Sequence, residues 1–232
     1  MNYSDYFKFR QVAPDFYENY ALQPYLAEIL NNTELRILDF GCGFGQVLMA
    51  LRKLGFKNIE GLDIEPEALE HCRLQDLSCF DGSENGTFYE TREGVYDYII
   101  LSHVLEHIPK NLMIPQLQKI KTLLKPDGGL IVAVPNAQSH TGAYWRYEDF
   151  THHYLFTSGS LYFVLRAAGF KEVRFLDIDC TAGASWLKFL VKKIFLPMYV
   201  FNYWFWNKVT TSSTHAPSPM IFSYEIKALA KK

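Results

Sequence analysis

Two stretches of this chain carry residue types that could do chemistry. The first is Ile37-Leu38-Asp39-Phe40-Gly41-Cys42-Gly43-Phe44-Gly45, an apolar run that ends in an acid and three alternate glycines. Glycine lets a backbone take positive φ and approach a ligand without a Cβ penalty. In the dinucleotide fingerprint G-x-G-x-x-G the turn sets a pyrophosphate on a helix N-terminus. Here the third glycine comes one residue early, and Asp39 puts negative charge where a pyrophosphate reader gains nothing from it. A ligand with an amino-acid tail and no phosphate suits this loop better. Asp63 lies 18 positions after Gly45 and closes the next apolar run, Ile59-Glu60-Gly61-Leu62. An acid there can accept hydrogen bonds from both hydroxyls of a ribose. The second stretch, Trp145 to Thr157, packs aromatics, Arg146, Glu148, Asp149, His152 and His153 into one loop-like segment.

The elements that position these residues can be read from periodicity. Ile37 to Phe40 reads as a buried strand, and Val47, Leu48, Leu51 and Leu54 as one face of the helix after the turn. Pro66 fits the first turn of another helix, with Glu65 and Glu67 near its positive end, running to about Leu77. In the polar segment 78–95, Phe88-Tyr89 is the candidate third strand. Asp97 to Leu101 reads as a strand buried on both faces. That sets Ser102 and His103 at its carboxyl end, where open α/β sheets bind ligands. A helix carrying Leu117, Ile120, Leu123 and Leu124 stops at Lys125-Pro126. Asp127-Gly128-Gly129 then turns into a fifth strand, Leu130 to Val134. A helix from Leu161 to Ala168 is capped by Thr157 or Ser158 and closed by Gly169. Val173 to Ile178 and Met220 to Leu229 complete the strands.

Together these segments resemble the class I S-adenosylmethionine (SAM) dependent methyltransferases. The glycine stretch resembles their motif I and Gly61-Leu62-Asp63 their motif II. Tyr96 to His107 resembles the family's fourth strand with its following turn, and Leu123 to Val132 the turn into the fifth. The resemblance spans residues 35 to 178 with the four motifs in order. It implies an α/β fold, a doubly wound, mostly parallel seven-stranded sheet whose last strand runs antiparallel between the fifth and sixth. It implies S-adenosyl-L-methionine as cofactor, held by Asp39, Gly41, Gly43, Gly45, Asp63, Ser102 and His103, the last two beside its methionine part. The family often places an acid near the adenine; Asp81 and Glu84 are candidates, and neither sits in a motif.

The pattern D-F-T-H-x-x-x-F-T over Asp149 to Thr157 resembles a subgroup found with surface-polysaccharide and other sugar-modifying genes. The implied reaction is methyl transfer to a hydroxyl of a sugar or glycan precursor. A hydroxyl is a poor nucleophile at neutral pH, so a general base helps, and histidine, at about 6.5 unperturbed, titrates nearest neutrality. His152 and His153 are the base candidates, with Asp149 to orient one of them. His107 reads as a helix-capping or core histidine, and no metal is expected. Two other readings stay open. One is a methyltransferase of a quinone or small metabolite, since function lives in the acceptor site. The other is a SAM-binding protein without catalysis, against which the polar residues of 145–157 argue.

With 232 residues, 49% of them hydrophobic, the chain fits one domain with elaborations. Residues 1–34, rich in tyrosine and phenylalanine, read as a helical arm that Asp15 could cap, either packed on the domain or serving as a lid; residues 35–232 form the domain. A net charge of −2 makes no case for nucleic acid. The cysteines at 42, 72, 79 and 180 form no C-x-x-C pair and read as reduced thiols of a cytoplasmic protein. The first residues lack the basic and apolar regions of a signal peptide.

Residues 180–219 are an insertion of unusual composition. No acid occurs from Cys180 to Tyr224, Lys188, Lys192 and Lys193 interleave with apolar residues, and Trp186, Trp204 and Trp206 are three of the chain's four tryptophans. Aromatics favour the headgroup zone of a bilayer, and lysines there gain from anionic lipid. The apolar run, interrupted at Pro197, is too short to span a bilayer. An in-plane anchor over 186–208 at the inner face of the membrane is the expected form. A homodimer interface, or a flap over the sheet edge, is the alternative.

Overall fold

The computed structural model describes residues 20–83, 87–213 and 218–232. In chain order the first half comprises α1 (Pro24–Ile29), β1 (Ile37–Phe40), α2 (Gln46–Lys53), β2 (Ile59–Asp63), α3 (Pro66–Leu74), β3 (Cys79–Asp81) and α4 (Thr87–Thr91). The second comprises β4 (Tyr96–Ser102), a 3-10 turn (Leu105–His107), α5 (Lys110–Leu123), β5 (Leu124–Pro135), α6 (Gly142–Glu148), α7 (Ser158–Ala167), β6 (Glu172–Leu176), α8 (Trp186–Val209) and β7 (Glu225–Lys231). The strands form one sheet in the order β3-β2-β1-β4-β5-β7-β6. The pairs from β3 to β5 are parallel. β7 runs antiparallel to both β5 and β6. This is the doubly wound, mostly parallel sheet, with its last strand antiparallel between the fifth and sixth, that the family resemblance implies. From β1 the chain winds outward to β3 and then crosses back to β4, so the crevice at the carboxyl ends of β1 and β4 is the topological switch point, where such sheets bind ligands.

The central strands are apolar throughout because helices cover both faces. Ile99 and Leu101 of β4 and Leu130, Val132 and Val134 of β5 are fully buried. Against them α5 buries Met113, Leu117, Ile120 and Leu123, the helical spacing of one face. Each such side chain is worth roughly 1.5–3 kcal/mol on burial, which fixes the strand ends that carry polar residues. The turn expected at Asp127-Gly128-Gly129 appears as a register shift between the Tyr96–Leu124 and Tyr98–Gly129 pairings. Thr157 is the cap of α7: its hydroxyl accepts the N–H of Ser160, and Ser160 Oγ accepts the N–H of Thr157.

The structure departs from the sequence expectations in several places. The third strand is Cys79–Asp81, and Phe88-Tyr89 lies in α4. β3 is a half-buried edge strand, too short to leave a periodic signal, while Phe88 packs its ring on Phe80 at 5.4 Å. The 145–157 stretch begins as the end of α6. α3 ends at Leu74, earlier than expected. Pro197 does not interrupt the insertion: α8 runs unbroken over 24 residues. A proline removes one N–H from the ladder, and a helix with no buried residue can turn the orphaned carbonyl to solvent. Of the N-terminal arm, α1 buries Tyr25 and Leu26 against the domain; Asp15 and the rest up to residue 19 lie outside the described residues, as does Glu84.

Candidate functional site

The glycine loop closes the carboxyl end of β1. Gly41, Gly43 and Gly45 all have positive φ, at 80, 52 and 79°. A Cβ on Gly41 would run into Val104, and one on Gly45 into Leu77. The glycines thus let the loop pack on the turn after β4 and on the segment that follows α3. Asp63, at the end of β2, holds the loop from the side. Its Oδ2 accepts the N–H of Gly43 at 2.7 Å, and its Oδ1 accepts those of Ile64 at 2.8 Å and Glu65 at 3.0 Å. A carboxylate has about four acceptor positions, so one remains on Oδ2 for a ligand hydroxyl. Burial raises the Asp63 pKa against the pull of these three N–H groups.

Asp39 is buried beneath the loop at 3% exposure. Burial first, then the nearby charge of Asp63, pushes its carboxyl well above the usual range. Asp81 pairs in register with Asp63 one strand outward, and its Oδ1 accepts the N–H and hydroxyl of Ser83. Beneath the loop the fold also gathers Cys42, Cys72 and Cys79, all free thiols, with Cys42 and Cys79 sulfurs 3.9 Å apart.

The second half of the site lies at the carboxyl end of β4, against the glycine loop through Val104. Ser102 is half-buried there, opposite Ala133 of β5. His103 has φ 55° and stands between two carboxylates. Its Nε2 lies 3.1 Å from Glu225 Oε2 and its Nδ1 3.3 Å from Glu106 Oε1. Desolvation works against the charged ring, but the two carboxylates outweigh it and raise its pKa to about 10. With 43% of the side chain exposed, solvent limits the strength of that pairing.

Glu106 sits wholly buried in the 3-10 turn, and neither of its oxygens has a hydrogen-bond partner; His103 Nδ1 is near enough for ion pairing but lacks hydrogen-bond geometry. His107 Nδ1 is 2.8 Å from the hydroxyl of Thr151, and burial lowers its pKa.

The two expected base candidates part company. His152 is 7% exposed, its ring 4.7 Å from that of His107. Its Nδ1 is 2.8 Å from the carbonyl of Trp145, so Nε2 faces Glu106 at 4.0 Å and Asp149 at 3.9 Å. His153 is exposed, and its backbone is engaged: its N–H donates to Glu106 O and its carbonyl accepts from Arg146. Arg146 also takes the carbonyl of His152, locking this corner. Asp149 is buried, but 3.9 Å is too long for it to orient His152 by a hydrogen bond. Its Oδ1 accepts the N–H and hydroxyl of Thr151 instead, and the Trp145 carbonyl sets the His152 ring.

Glu106 and Glu225 are functional candidates that sequence reasoning missed. Glu106 lies inside the fourth-strand motif, and Glu225 opens β7, where an acid in an apolar run was the only signal. His107, expected as a capping or core residue, stands among the polar groups.

Comparison with known proteins agrees with this geometry. A family model described as methyltransferase domain matches residues 14–175, more than half of the chain. The chain therefore belongs to the class I SAM-dependent methyltransferases, and its cofactor is S-adenosyl-L-methionine. Among curated relatives, a ubiquinone biosynthesis O-methyltransferase of Actinobacillus pleuropneumoniae serotype 7 is 32% identical over 112 residues, covering 44% of this chain and 46% of that protein. A ribosomal protein L11 methyltransferase of Vibrio campbellii is 30% identical over 128 residues, 55% of this chain and 40% of that protein. The chain thus spans about half the length of the curated relatives it matches. Among solved structures, a SAM dependent methyltransferase from Archaeoglobus fulgidus superposes over all of both chains with a TM-score of 0.65 at 17% identity. The Burkholderia thailandensis 1,6-didemethyltoxoflavin-N1-methyltransferase, with S-adenosylhomocysteine bound, has a TM-score of 0.57 at 18% identity, covering 99% of this chain and 84% of that one.

Proposed function

We propose that this protein transfers a methyl group to a hydroxyl of an acceptor carried on or near a membrane. The observation that carries the reading is the cluster of Glu106, His107, His152 and Asp149 at the carboxyl end of β4, next to the glycine loop. When bound, S-adenosyl-L-methionine supplies an electrophilic methyl on a sulfonium. Gly41, Gly43, Gly45 and Asp63 would hold its ribose and amino-acid ends, with Asp39 beneath and Ser102 and His103 on the methionine side. The loop fits such a group, since its glycines keep the backbone bare and Asp63 retains an acceptor position. The cluster across from it draws the proton from the acceptor oxygen, while the fold supplies alignment. Of the two histidines expected as base, His152 is the one in this cluster. A binding-only protein has no use for buried polar groups so placed.

The acceptor is a sugar or glycan hydroxyl on the strength of the Asp149 to Thr157 pattern. A second reading, the phenolic hydroxyl of a quinone precursor, is favoured by the names of the ubiquinone relatives. Both acceptors occur on lipids, and α8 supports a lipid surface as partner. No α8 residue is buried, and Trp186, Phe201 and Trp206 are 75, 62 and 55% exposed. Tyr199 and Tyr203 dock the helix on Phe222. No described helix is long and apolar enough to cross a membrane, so α8 would lie in the plane of a cytoplasmic leaflet. The test is mass spectrometry of products from labelled SAM with nucleotide-linked sugars, catechols and lipid extracts in one panel. A methylated hydroxyl product supports the proposal. Methylation confined to nitrogen or carbon acceptors overturns it.

A further inference from the structure

We propose that Glu106, His107 and His152 form a binding site for one divalent transition-metal cation, of the zinc or cobalt kind. One ligand atom from each of the three lies within 4.8 Å of the others. The carboxylate is the decisive member. Glu106 has no exposed surface, and neither oxygen is hydrogen-bonded. A buried carboxylate left so is normally paired or on a metal. The histidines carry the outer contacts that orient ligand imidazoles. His152 has Nδ1 on the Trp145 carbonyl at 2.8 Å, which leaves Nε2 turned to Glu106. His107 has Nδ1 on the Thr151 hydroxyl, which is itself held by Asp149 at 2.5 Å.

Two imidazoles and one carboxylate match borderline-soft cations and not calcium or magnesium, which take oxygen. Nitrogen and oxygen ligands ~2.1 Å from one ion stand ~3.4 Å apart, so closing this cluster takes side-chain shifts of about an ångström. His103 Nδ1, 3.3 Å from Glu106, is next to the site with its Nε2 tied to Glu225. It offers a fourth ligand, or is the counter-charge when no metal is bound.

The site adjoins the cofactor loop through Val104. Its catalytic consequence rests on the hydroxyl reading above; cation binding does not. A cation there would hold the acceptor oxygen and lower its pKa, so that the proton could pass to solvent near neutral pH in place of the base that the metal-free cluster supplies. His152 then acts as a ligand. The acceptors that gain most are those with two adjacent oxygens, a vicinal diol or a catechol, which can chelate.

The experiment is titration of chelator-stripped full-length protein with Co2+, followed by visible absorption, with SAM affinity and methyl transfer measured on the same samples. One equivalent should bind with a weak visible band and no sulfur charge-transfer band. Glu106→Gln and His152→Gln should each weaken it by more than the ~10–100-fold that outer contacts alone are worth, while Cys42→Ser leaves it unchanged. Thermal unfolding confirms that each variant folds, and either one suffices. Absence of Co2+ binding overturns the proposal, as does binding that survives both variants, or a thiolate band lost in Cys42→Ser, which would place the ion among the cysteines. Cation binding intact with no hydroxyl methylated would sink the functional reading and leave the site standing.

Discussion

Replacing Asp63 by asparagine keeps the side chain's shape and removes its charge, and the hydrogen bonds around it set the cost. Asp63 serves three backbone N–H groups: Ile64 and Glu65 on Oδ1, and Gly43 on Oδ2 at 2.7 Å. An amide offers one oxygen and one NH2. If the oxygen stays with Ile64 and Glu65, the NH2 meets the Gly43 N–H donor to donor. If it flips, two donors are orphaned. The first arrangement is the cheaper, at about 1–3 kcal/mol for one unsatisfied N–H. The two surviving bonds fall to roughly half their charge-assisted strength. Against this, burial already disfavours the Asp63 charge, so its removal returns part of the loss. A net of about 1.5–3 kcal/mol against the loop conformation corresponds to a SAM dissociation constant about 10–150-fold higher. Isothermal titration calorimetry with SAM measures it, and hydrogen exchange at Gly43 reports the loop directly. Unchanged affinity in a variant that melts like the wild type would refute the reasoning. NAD binding in place of SAM would revive the dinucleotide reading of the glycines.

The same contacts predict the behaviour of other variants. His152→Ala should lower methyl transfer by ~10²–10⁴-fold and His153→Ala should leave it near wild type, with SAM affinity unchanged in both; equal effects on transfer of labelled methyl would contradict the placement of His153 at the surface. For Asp39, the folded-state pKa lies above the ordinary value of 3.8, so the folded protein holds a proton that the unfolded chain has released. Wild-type stability should therefore fall as pH rises from near 3.8 through the raised folded pKa. Asp39→Asn should remove that slope and melt higher at neutral pH while binding SAM less well; a variant less stable than wild type at neutral pH refutes this. On α8, Lys192 and Lys193 are held by the Cys180 carbonyl and Asp179, so Lys188 and Lys208 are the lysines to reverse. The double glutamate variant should lose co-sedimentation with anionic vesicles, whereas a wild-type protein that pellets with no vesicle and forms a stable dimer assigns the helix to an interface.

How far the sequence could be read depended on whether a feature is contiguous or assembled. The buried parts of β4 and β5 are continuous apolar runs because both faces are covered, so their centres and the place of Ser102 and His103 were legible; the start of β5 was not, since it begins at Leu124, ahead of the expected Leu130, in a polar stretch. The cofactor loop was legible for the same reason: acid, strand and glycines are adjacent in the chain. What pattern could not yield is the role of each glycine, since Val104 and Leu77, which require Gly41 and Gly45 to lack a Cβ, come from distant segments. Phe88-Tyr89 looked more strand-like than Cys79-Phe80-Asp81 because an edge strand needs no apolar run. Pro197 looked like a stop because helix rules assume a carbonyl with nowhere to go, which fails on a helix with no buried residue. The same limit hid the acceptor half of the site. Spacing pairs Asp149 with His152, but Thr151 binds Asp149 through Oδ1, and the Oδ2 that faces His152 Nε2 stays 3.9 Å away, too far to orient the ring. Glu106 meets His152 only because β4 and the segment after α6 end at the same edge of the sheet. Its unsatisfied oxygens, which mark this cluster as more than a packed corner, are a property of burial that no linear pattern encodes.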